Sequence, residues 1–413
     1  MEYLPDFFQE ILLENLRNGD LAKLSSESKY YNDIKFTKSQ LDEIKKLLNL
    51  KNISKIEEYN KLIKITDVIS VKSLSLIFNQ IFSLEIFSGK IFPNLKKLIL
   101  DHNEIESFEG FSENVFPNLE ILYLGVNKIS SFKGLSGKTF PKLEKLDLQV
   151  NKISSFEGLS GKTFPNLKIL SLIGNKPTSF KGLSGEIFPN LEELSLQINK
   201  ISSFEGLSKV FPNLKKLNLG NNEIESFEGL SEEIFFNLTE LKLYNNRIIS
   251  FKGLSGKTFP NLKELDLNYN QIESFEGLSG EIFPKLEELN LTSNQITSFK
   301  GLSEKTFPNL EYLDLGDNKI ESFEGLSEEI FPKLERLDLS DNEIESFEGL
   351  SGKIFYNLEI LNLNRDYIPS LEGLSEETFP NILVIHIYNN GILYEQDIEK
   401  IKAMYPGKIE DLE

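Results

Sequence analysis

One pattern of leucines, an asparagine and an isoleucine returns along most of this chain at a nearly constant spacing. Its first clear copy, L-x-x-L-x-L-x-x-N-x-I, begins at Leu95, and the step is 24 residues with a single step of 23. Fainter copies at Val71–Ile81 and Ile382–Ile392 bring the total to fourteen. Such a period predicts a stack of similar coils instead of one globular core. Further clear copies begin at Leu119, Leu143, Leu167, Leu191, Leu214, Leu238, Leu262, Leu286, Leu310, Leu334 and Leu358.

The first half of each copy predicts a short strand followed by a turn. Leucines that alternate with period two, such as Leu98 and Leu100, should point to the same side of a strand and into a core. Asn103 and its equivalents follow that strand, where a buried amide can satisfy backbone groups of its own turn and of the next coil. Asp366 breaks the asparagine column and Pro177 removes a backbone donor, so we expect irregular coils at both places.

The second half of each copy reads S-F-x-G-L-S-x-x-x-F-P-N. It places two phenylalanines in each coil, for example Phe132 with Phe140 and Phe275 with Phe283. These columns should stack as an aromatic spine. The recurring glycine permits a turn that a Cβ atom would hinder, and the recurring proline excludes a long helix. The return half is therefore expected to consist of short 3₁₀ or irregular turns.

The repeated residues resemble the signature of the leucine-rich-repeat family over residues 71–394. The resemblance implies an α/β fold: a right-handed leucine-rich-repeat solenoid with a curved parallel β-sheet on its concave face and a Phe spine. Residues 1–70 lack the repeat and are expected to form a helical N-terminal cap. Residues 395–413 should form a C-terminal cap helix and tail, because Gln396–Tyr405 has an amphipathic pattern.

The N-terminal segment also resembles an F-box over residues 4–34. In that family the helical module docks on the adaptor of a cullin-type ubiquitin ligase. The chain departs from the pattern at Phe7, Glu27 and Tyr31, and a plain N-terminal cap remains the alternative. The positions at which the resemblance is read are Leu4, Pro5, Leu12, Leu16, Leu21, Leu24 and Tyr31.

Charge and composition narrow the classes of partner. The formal net charge is -19, which disfavours nucleic acid and anionic membrane surfaces and favours basic protein partners. The chain has no cysteine, and its first residues carry acids where a secretory signal needs bases. These observations predict a cytoplasmic, intracellular location. They leave the oligomeric state open.

No motif in the sequence predicts catalysis, a cofactor or a metal site. The tetrapeptide S-G-K-T at Ser136–Thr139, Ser160–Thr163 and Ser255–Thr258 lacks the earlier glycine of a phosphate-binding loop. The two histidines, His102 and His386, lie twelve coils apart and cannot share a site. The sequence therefore predicts a protein-protein interaction module and not an enzyme.

The residues between the leucines are the candidate partner-binding positions on the concave face. They form an apolar zone toward the N-terminus and an acidic zone with tyrosines toward the C-terminus, which suits a protein partner with a basic segment. The alternative is that these positions simply tolerate sequence drift. The candidates are Ile99, Ile121, Tyr123, Val126, Val150, Ile169, Ile173, Ile198, Tyr244, Asp266, Tyr269, Tyr312, Asp314, Asp317, Asp338 and Asp341. Glu240, Glu264 and Glu288 lie in the same acidic zone.

Overall fold

The structure is a computed structural model that describes residues 72–410 apart from several short segments in the return halves of the repeats and before the C-terminal helix. The omitted positions are 89–90, 112, 114, 137, 160–162, 182–186, 208–210, 231–234, 255–257, 279–281 and 391–394. Backbone contacts divide the described residues into two compact units. The first unit holds 72–175 and 187–189, and the second holds 176–181 and 190–410.

The first unit carries five short parallel strands that pair in chain order. Each strand is three residues long, and its central leucine is buried while the two flanking side chains face the other side. Equivalent residues of successive coils are therefore neighbours, as Leu98 and Leu122 are. The strands are β1 (Ser73–Ser75), β2 (Lys97–Ile99), β3 (Ile121–Tyr123), β4 (Lys145–Asp147) and β5 (Ile169–Ser171).

The second unit carries ten strands with the same parallel, in-register pairing. Its chain ends in one helix, α1 (Glu395–Met404), which confirms the predicted C-terminal helix. The strands are β6 (Glu193–Ser195), β7 (Lys216–Asn218), β8 (Glu240–Lys242), β9 (Glu264–Asp266), β10 (Glu288–Asn290), β11 (Tyr312–Asp314), β12 (Arg336–Asp338), β13 (Ile360–Asn362), β14 (Val384–His386) and β15 (Ile409–Glu410).

The last strand, β15, was not predicted, because two residues without a leucine pattern give no strand signal. It pairs with β14 after the chain leaves α1. Tyr405 fixes this return: its hydroxyl donates to the Ser375 carbonyl at 2.6 Å, and its ring packs 6.2 Å from that of Phe379. Ile401 on α1 is buried. The C-terminal segment thus covers the final coil of the second unit, as a capping segment must.

Stacked phenylalanines form the core on the return side, which confirms the predicted spine. In the second unit the rings of Phe251 and Phe299 lie 6.2 and 6.4 Å from that of Phe275, with planes within 8° of parallel. The second column repeats this, since the rings of Phe283 and Phe307 lie 5.9 Å apart. The return segments are turns, with 3₁₀ helices at Leu84–Phe87 and Glu348–Leu350 among the described residues. Within that part of the chain, no helix is long and apolar enough to cross a bilayer.

The predicted asparagine column forms a hydrogen-bonded ladder inside each unit. Asn270 is typical: its Nδ2 donates to the carbonyls of Leu243 and Leu267 at 3.0 Å each. Its Oδ1 accepts from the Ile248 N–H at 3.0 Å. One side chain therefore satisfies backbone groups of two coils, which explains why an amide suits this buried position.

A second asparagine column was missed in the sequence, although the recurring F-P-N triplet carries its signal. Asn309 Nδ2 donates to the Pro284 carbonyl of the preceding coil at 2.6 Å. Asn309 Oδ1 in turn accepts from Lys333 Nζ of the following coil at 2.7 Å.

The recurring glycine is explained by its positive φ and by a close contact with the backbone of the preceding coil. Gly158 has φ +96°, and a Cβ atom there would lie 2.7 Å from the Lys133 nitrogen.

Two expectations of irregular coils meet different outcomes. At Asp366 the expected irregularity does not reach β13, which keeps its register with β12 and β14, while the bond that Asp366 accepts from the Ile344 N–H is longer, at 3.3 Å, than the 3.0 Å of its equivalent at Asn342. At Pro177 the ring removes the N–H that the isoleucine column supplies, while the Pro177 carbonyl still accepts from Lys200 N at 3.2 Å. The predicted N-terminal cap and F-box-like segment lie outside the described residues.

Candidate functional site

The candidate surface is the strand face of each unit, defined as the side chains at the first and third positions of each strand and in the turn that follows. Eight of the sixteen candidates lie on strands: Ile99, Ile121, Tyr123, Ile169, Asp266, Tyr312, Asp314 and Asp338. The other eight lie in the turns after strands: Val126, Val150, Ile173, Ile198, Tyr244, Tyr269, Asp317 and Asp341. The apolar candidates belong to the first unit except for Ile198, which belongs to the second.

The turn positions include a column of residues with left-handed backbone conformation. Val126, Val150 and Ile198 have φ values of 53°, 52° and 55°. This region favours Gly and Asn and is unusual for β-branched residues, because their Cβ substituents crowd the backbone. Val150 and Ile198 are also 50% and 58% exposed. The sequence alone gave no sign that these apolar side chains occupy strained positions.

On the first unit, a tyrosine lies between two lysines. Lys97 on β2 and Lys145 on β4 place their ammonium groups 5.1 and 5.5 Å from the ring centroid of Tyr123 on β3. Ile121 lies between the same two lysines in the strand register. The arrangement is a cation–π cluster on a half-buried part of the strand face.

On the second unit, carboxylates stand directly opposite one another. The strand register places Glu264 opposite both Glu240 and Glu288. It also places Asp314 opposite Asp338. Like charges in directly opposed positions are destabilising. We call Glu264, Asp266, Glu288, Asp314 and Asp338 the acidic strand face; among the described residues none of the five forms a salt bridge.

Glu240 at the edge of this surface is neutralised within the chain. Its carboxylate lies 2.6 Å from Lys216 Nζ and 2.8 Å from Lys242 Nζ, one lysine on each oxygen. Burial opposes ionisation of Glu240, but the hydrogen bonds and charges of the two lysines outweigh it and hold its pKa below the ordinary value. The acidic strand face therefore begins at β9.

Burial and mutual repulsion shape the titration of the acidic strand face. Burial raises the pKa of Asp266 above its ordinary value, against the hydrogen bond from the Asn268 N–H and the charge of Lys242 on the opposite strand, and the charge of Asp314 adds a smaller raising effect. The Tyr312 hydroxyl donates to Asp314 Oδ2 at 3.0 Å. Burial and the Asp314 charge raise the pKa of Tyr312 well above the ordinary tyrosine value, so it remains a neutral donor. Asp266 and Tyr312 border a depression across β8–β11 that is also lined by Glu240, Lys242, Glu264 and Glu288.

The S-G-K-T tetrapeptide has a structural role where it is described. The backbone N–H of Ser136 donates to Thr139 Oγ1 at 3.0 Å, and Thr139 is buried. Ser303 and Thr306 make the same bond at 3.1 Å, although they belong to S-E-K-T. The bond therefore belongs to the repeat turn and does not depend on the glycine. Within the described part of the chain, no group of three or more acidic or histidine residues is arranged to hold a metal ion.

Comparison with protein families identifies the same repeat that the stacked coils show. The family described as leucine-rich repeats (2 copies) matches residues 141–185, 189–232, 237–280 and 332–376. The family described as leucine-rich repeat matches residues 93–153 and 284–344. Together they extend over about two thirds of the sequence. The chain belongs to the leucine-rich-repeat family. As a leucine-rich-repeat protein, it is a repeat scaffold suited to protein-protein interaction. No curated protein matches the sequence significantly.

Solved structures share the leucine-rich-repeat fold at low sequence identity. A leucine-rich-repeat protein of Leptospira interrogans is 24% identical with a TM-score of 0.66, and the match covers 97% of this chain and 98% of that one. An internalin of Listeria monocytogenes is 20% identical with a TM-score of 0.53, covering 87% and 91%. Toll from Drosophila, solved in complex with Spatzle, is 19% identical with a TM-score of 0.55, covering 85% of this chain and 42% of Toll.

Proposed function

We propose that the leucine-rich-repeat chain is a non-catalytic scaffold whose acidic strand face binds a basic segment of a partner protein. The observation that carries the proposal is the opposition of like charges on adjacent strands, Glu264 with Glu288 and Asp314 with Asp338. A surface selected for stability alone would alternate charge signs across the strands. A partner that supplies lysine or arginine side chains would relieve this repulsion on binding.

Some other positions of the described chain carry opposite charges that pair between coils. Just before the strands, Lys96 pairs with Glu120 and Lys168 with Glu144 at 3.1 Å, and after the buried asparagines Lys128 pairs with Glu104 at 3.0 Å. Side chains of opposite charge in successive coils can therefore form salt bridges in this repeat. Among the described residues, the five carboxylates of the acidic strand face form no salt bridge, although Lys263 and Glu287 just before β9 and β10 do, and this supports a binding role for the strand-face positions.

The test is binding of a short fluorescein-labelled peptide of alternating lysine and serine to the full chain. The double variant Asp314→Lys/Asp338→Lys should weaken binding by about tenfold or more, since two opposed charge contacts are reversed. The matched control Glu273→Lys/Glu321→Lys makes the same net charge change at exposed positions outside the strand face. Equal weakening by both variants would mean that net charge, and not this surface, attracts the peptide.

A second candidate is more specific: a substrate receptor of a cullin-type ubiquitin ligase, in which the F-box-like segment docks on the ligase adaptor. Its support is the resemblance at Leu4–Ile34, and it depends on the predicted cytoplasmic location. The alternative is a stand-alone scaffold with no ubiquitin link. A pull-down of purified adaptor by the full chain and by a chain lacking residues 1–34 separates the two. Binding that disappears with the deletion supports the receptor, and no binding by a folded full chain supports the scaffold.

A further inference from the structure

Each unit has two lysines on its strand face whose ammonium groups approach one side chain, a carboxylate in the second unit and a tyrosine ring in the first. In the second unit, Lys216 and Lys242 converge on the Glu240 carboxylate, one on each oxygen. In the first unit, Lys97 and Lys145 converge on the ring of Tyr123. Lys97 and Lys216 hold the same strand position, whereas Lys145 lies on the strand after Tyr123 and Lys242 lies on the same strand as Glu240. The second unit thus shows that two lysines of the strand face can hold one carboxylate.

The first unit lacks the carboxylate that its lysine pair would hold. Ile121 occupies the first position of β3, which corresponds to Glu240 at the first position of β8. Neither Lys97 nor Lys145 forms a salt bridge among the described residues. Lysines immediately before β2 and β5 do form such pairs, as Lys96 does with Glu120 and Lys168 with Glu144.

The two nearby carboxylates, Asp101 and Asp147, each accept a hydrogen bond from a backbone N–H of a turn. Asp101 Oδ1 accepts from the Gly125 N–H at 2.7 Å, and Asp147 Oδ1 accepts from the Gln149 N–H at 3.0 Å. Burial, with the charge of Asp147, raises the pKa of Asp101 above its ordinary value. These carboxyls therefore belong to the ends of their strands, and neither takes the place that Glu240 has between its lysines.

We propose that Lys97, Tyr123 and Lys145 bind a carboxylate side chain from an acidic, leucine-containing segment of a partner protein. The carboxylate accepts hydrogen bonds from these ammonium groups beside the Tyr123 ring, as Glu240 accepts them from its two lysines in the second unit. The apolar neighbours Ile121 and Ile169 flank the lysines on the strand face and contact the leucine side chains of the same segment. This site is separate from the acidic strand face and attracts the opposite charge.

The probe is a short fluorescein-labelled peptide with one Glu between two Leu residues, flanked by Gly and Ser, and its Gln counterpart. The full chain should bind the Glu peptide saturably and about tenfold more tightly than the Gln peptide. Lys97→Gln/Lys145→Gln should remove that preference. Lys96→Gln/Lys168→Gln removes the same charge from lysines already paired with glutamates and should retain it.

A third variant gives the first unit the glutamate that Glu240 provides in the second. Ile121→Glu supplies the missing carboxylate from within the chain, so it should abolish binding of the Glu peptide while the circular dichroism of the folded chain is kept. Asp314→Lys/Asp338→Lys should leave this binding unchanged, which separates its outcome from that of the acidic strand face. Equal affinity for the Glu and Gln peptides, equal loss in the two double-lysine variants, or unchanged binding in Ile121→Glu would each overturn the proposal.

Discussion

The carboxyl group of Asp366 accepts a hydrogen bond from the Ile344 backbone N–H at 3.3 Å, in a position where the ladder otherwise uses an asparagine amide. The asparagine at the preceding position, Asn342, accepts the corresponding bond at 3.0 Å. The other oxygen, Asp366 Oδ2, is buried and has no hydrogen-bond partner. In Asn342 the matching atom is Nδ2, which donates to the Leu315 and Leu339 carbonyls. An ionised Asp366 therefore presents an acceptor where the ladder needs a donor.

Replacing Asp366 with asparagine should stabilise the protein at neutral pH. The amide supplies the missing donor and removes a buried carboxyl whose unsatisfied oxygen costs about 1–3 kcal/mol. The measurement is the urea concentration at which the chain is half unfolded. Asp317→Asn is the control, because it removes a carboxylate from an exposed turn position and should change the midpoint little. A lower midpoint for Asp366→Asn would contradict the donor argument.

The same residue should give the stability a characteristic pH dependence. Burial, together with the charges of Asp341 and Asp338, raises the pKa of Asp366 to about 8, against hydrogen bonds from the Ile344 and Asn342 N–H groups. The unfolded value is about 4, so the folded state holds the proton more tightly. The contribution of Asp366 is then fully present below about pH 4 and is lost as the pH rises to about 8.

The difference between two pH profiles isolates this contribution from that of the other acids. The stability of the unsubstituted chain should fall relative to Asp366→Asn by up to about 1.4 kcal/mol for each pH unit across that range. Urea unfolding at several pH values from about 5 to about 8 measures this difference. Parallel profiles of the two proteins would show that Asp366 does not titrate in this range.

The left-handed turn positions give a second stabilising prediction, in which an apolar residue is removed. Val150 has φ 52° and is 50% exposed, so it carries backbone strain and gains little from burial. Val150→Asn should stabilise the protein by about 1 kcal/mol, because asparagine tolerates this conformation. Val384→Asn is the control on an extended strand, where valine is favoured and the change should destabilise. Stabilisation that is equal at both positions would exclude strain as the cause.

The aromatic columns should dominate the stability of the return side. Phe275 is fully buried between Phe251 and Phe299, and truncation to alanine leaves a cavity in both neighbouring coils. Phe275→Ala should cost about 3–5 kcal/mol. Phe236→Ala, at a ring that is 57% exposed, should stay within about 0.5 kcal/mol. Thermal unfolding of the two variants checks the contrast, and similar losses would mean that Phe275 is not held by stacking.

Sequence periodicity was sufficient for the parts of the fold that repeat. The leucine, asparagine and phenylalanine columns each mark one contact that is made in the same way in successive coils, so Leu98, Asn103 and Phe132 were placed correctly. It was insufficient where a feature depends on which side chains become neighbours across strands. The opposition of Glu264 and Glu288 needs the register, and the convergence of two lysines on Tyr123 needs side-chain direction. The binding roles assigned to the strand-face residues stay predictions.

The acidic strand face makes a last prediction that links stability to function. Glu288→Gln removes repulsion with Glu264 and should raise stability by about 0.2–1 kcal/mol at low salt, with a smaller gain at high salt. The neighbouring change Glu287→Gln removes a 2.7 Å salt bridge with Lys263 and should instead lower stability slightly, because this pair is exposed to solvent. Thermal unfolding at two salt concentrations measures both. If Glu288→Gln also weakens binding of the lysine-containing peptide, the repulsion on this face is retained for binding at the expense of stability. A loss of stability in Glu288→Gln would show that the opposed carboxylates do not strain the sheet.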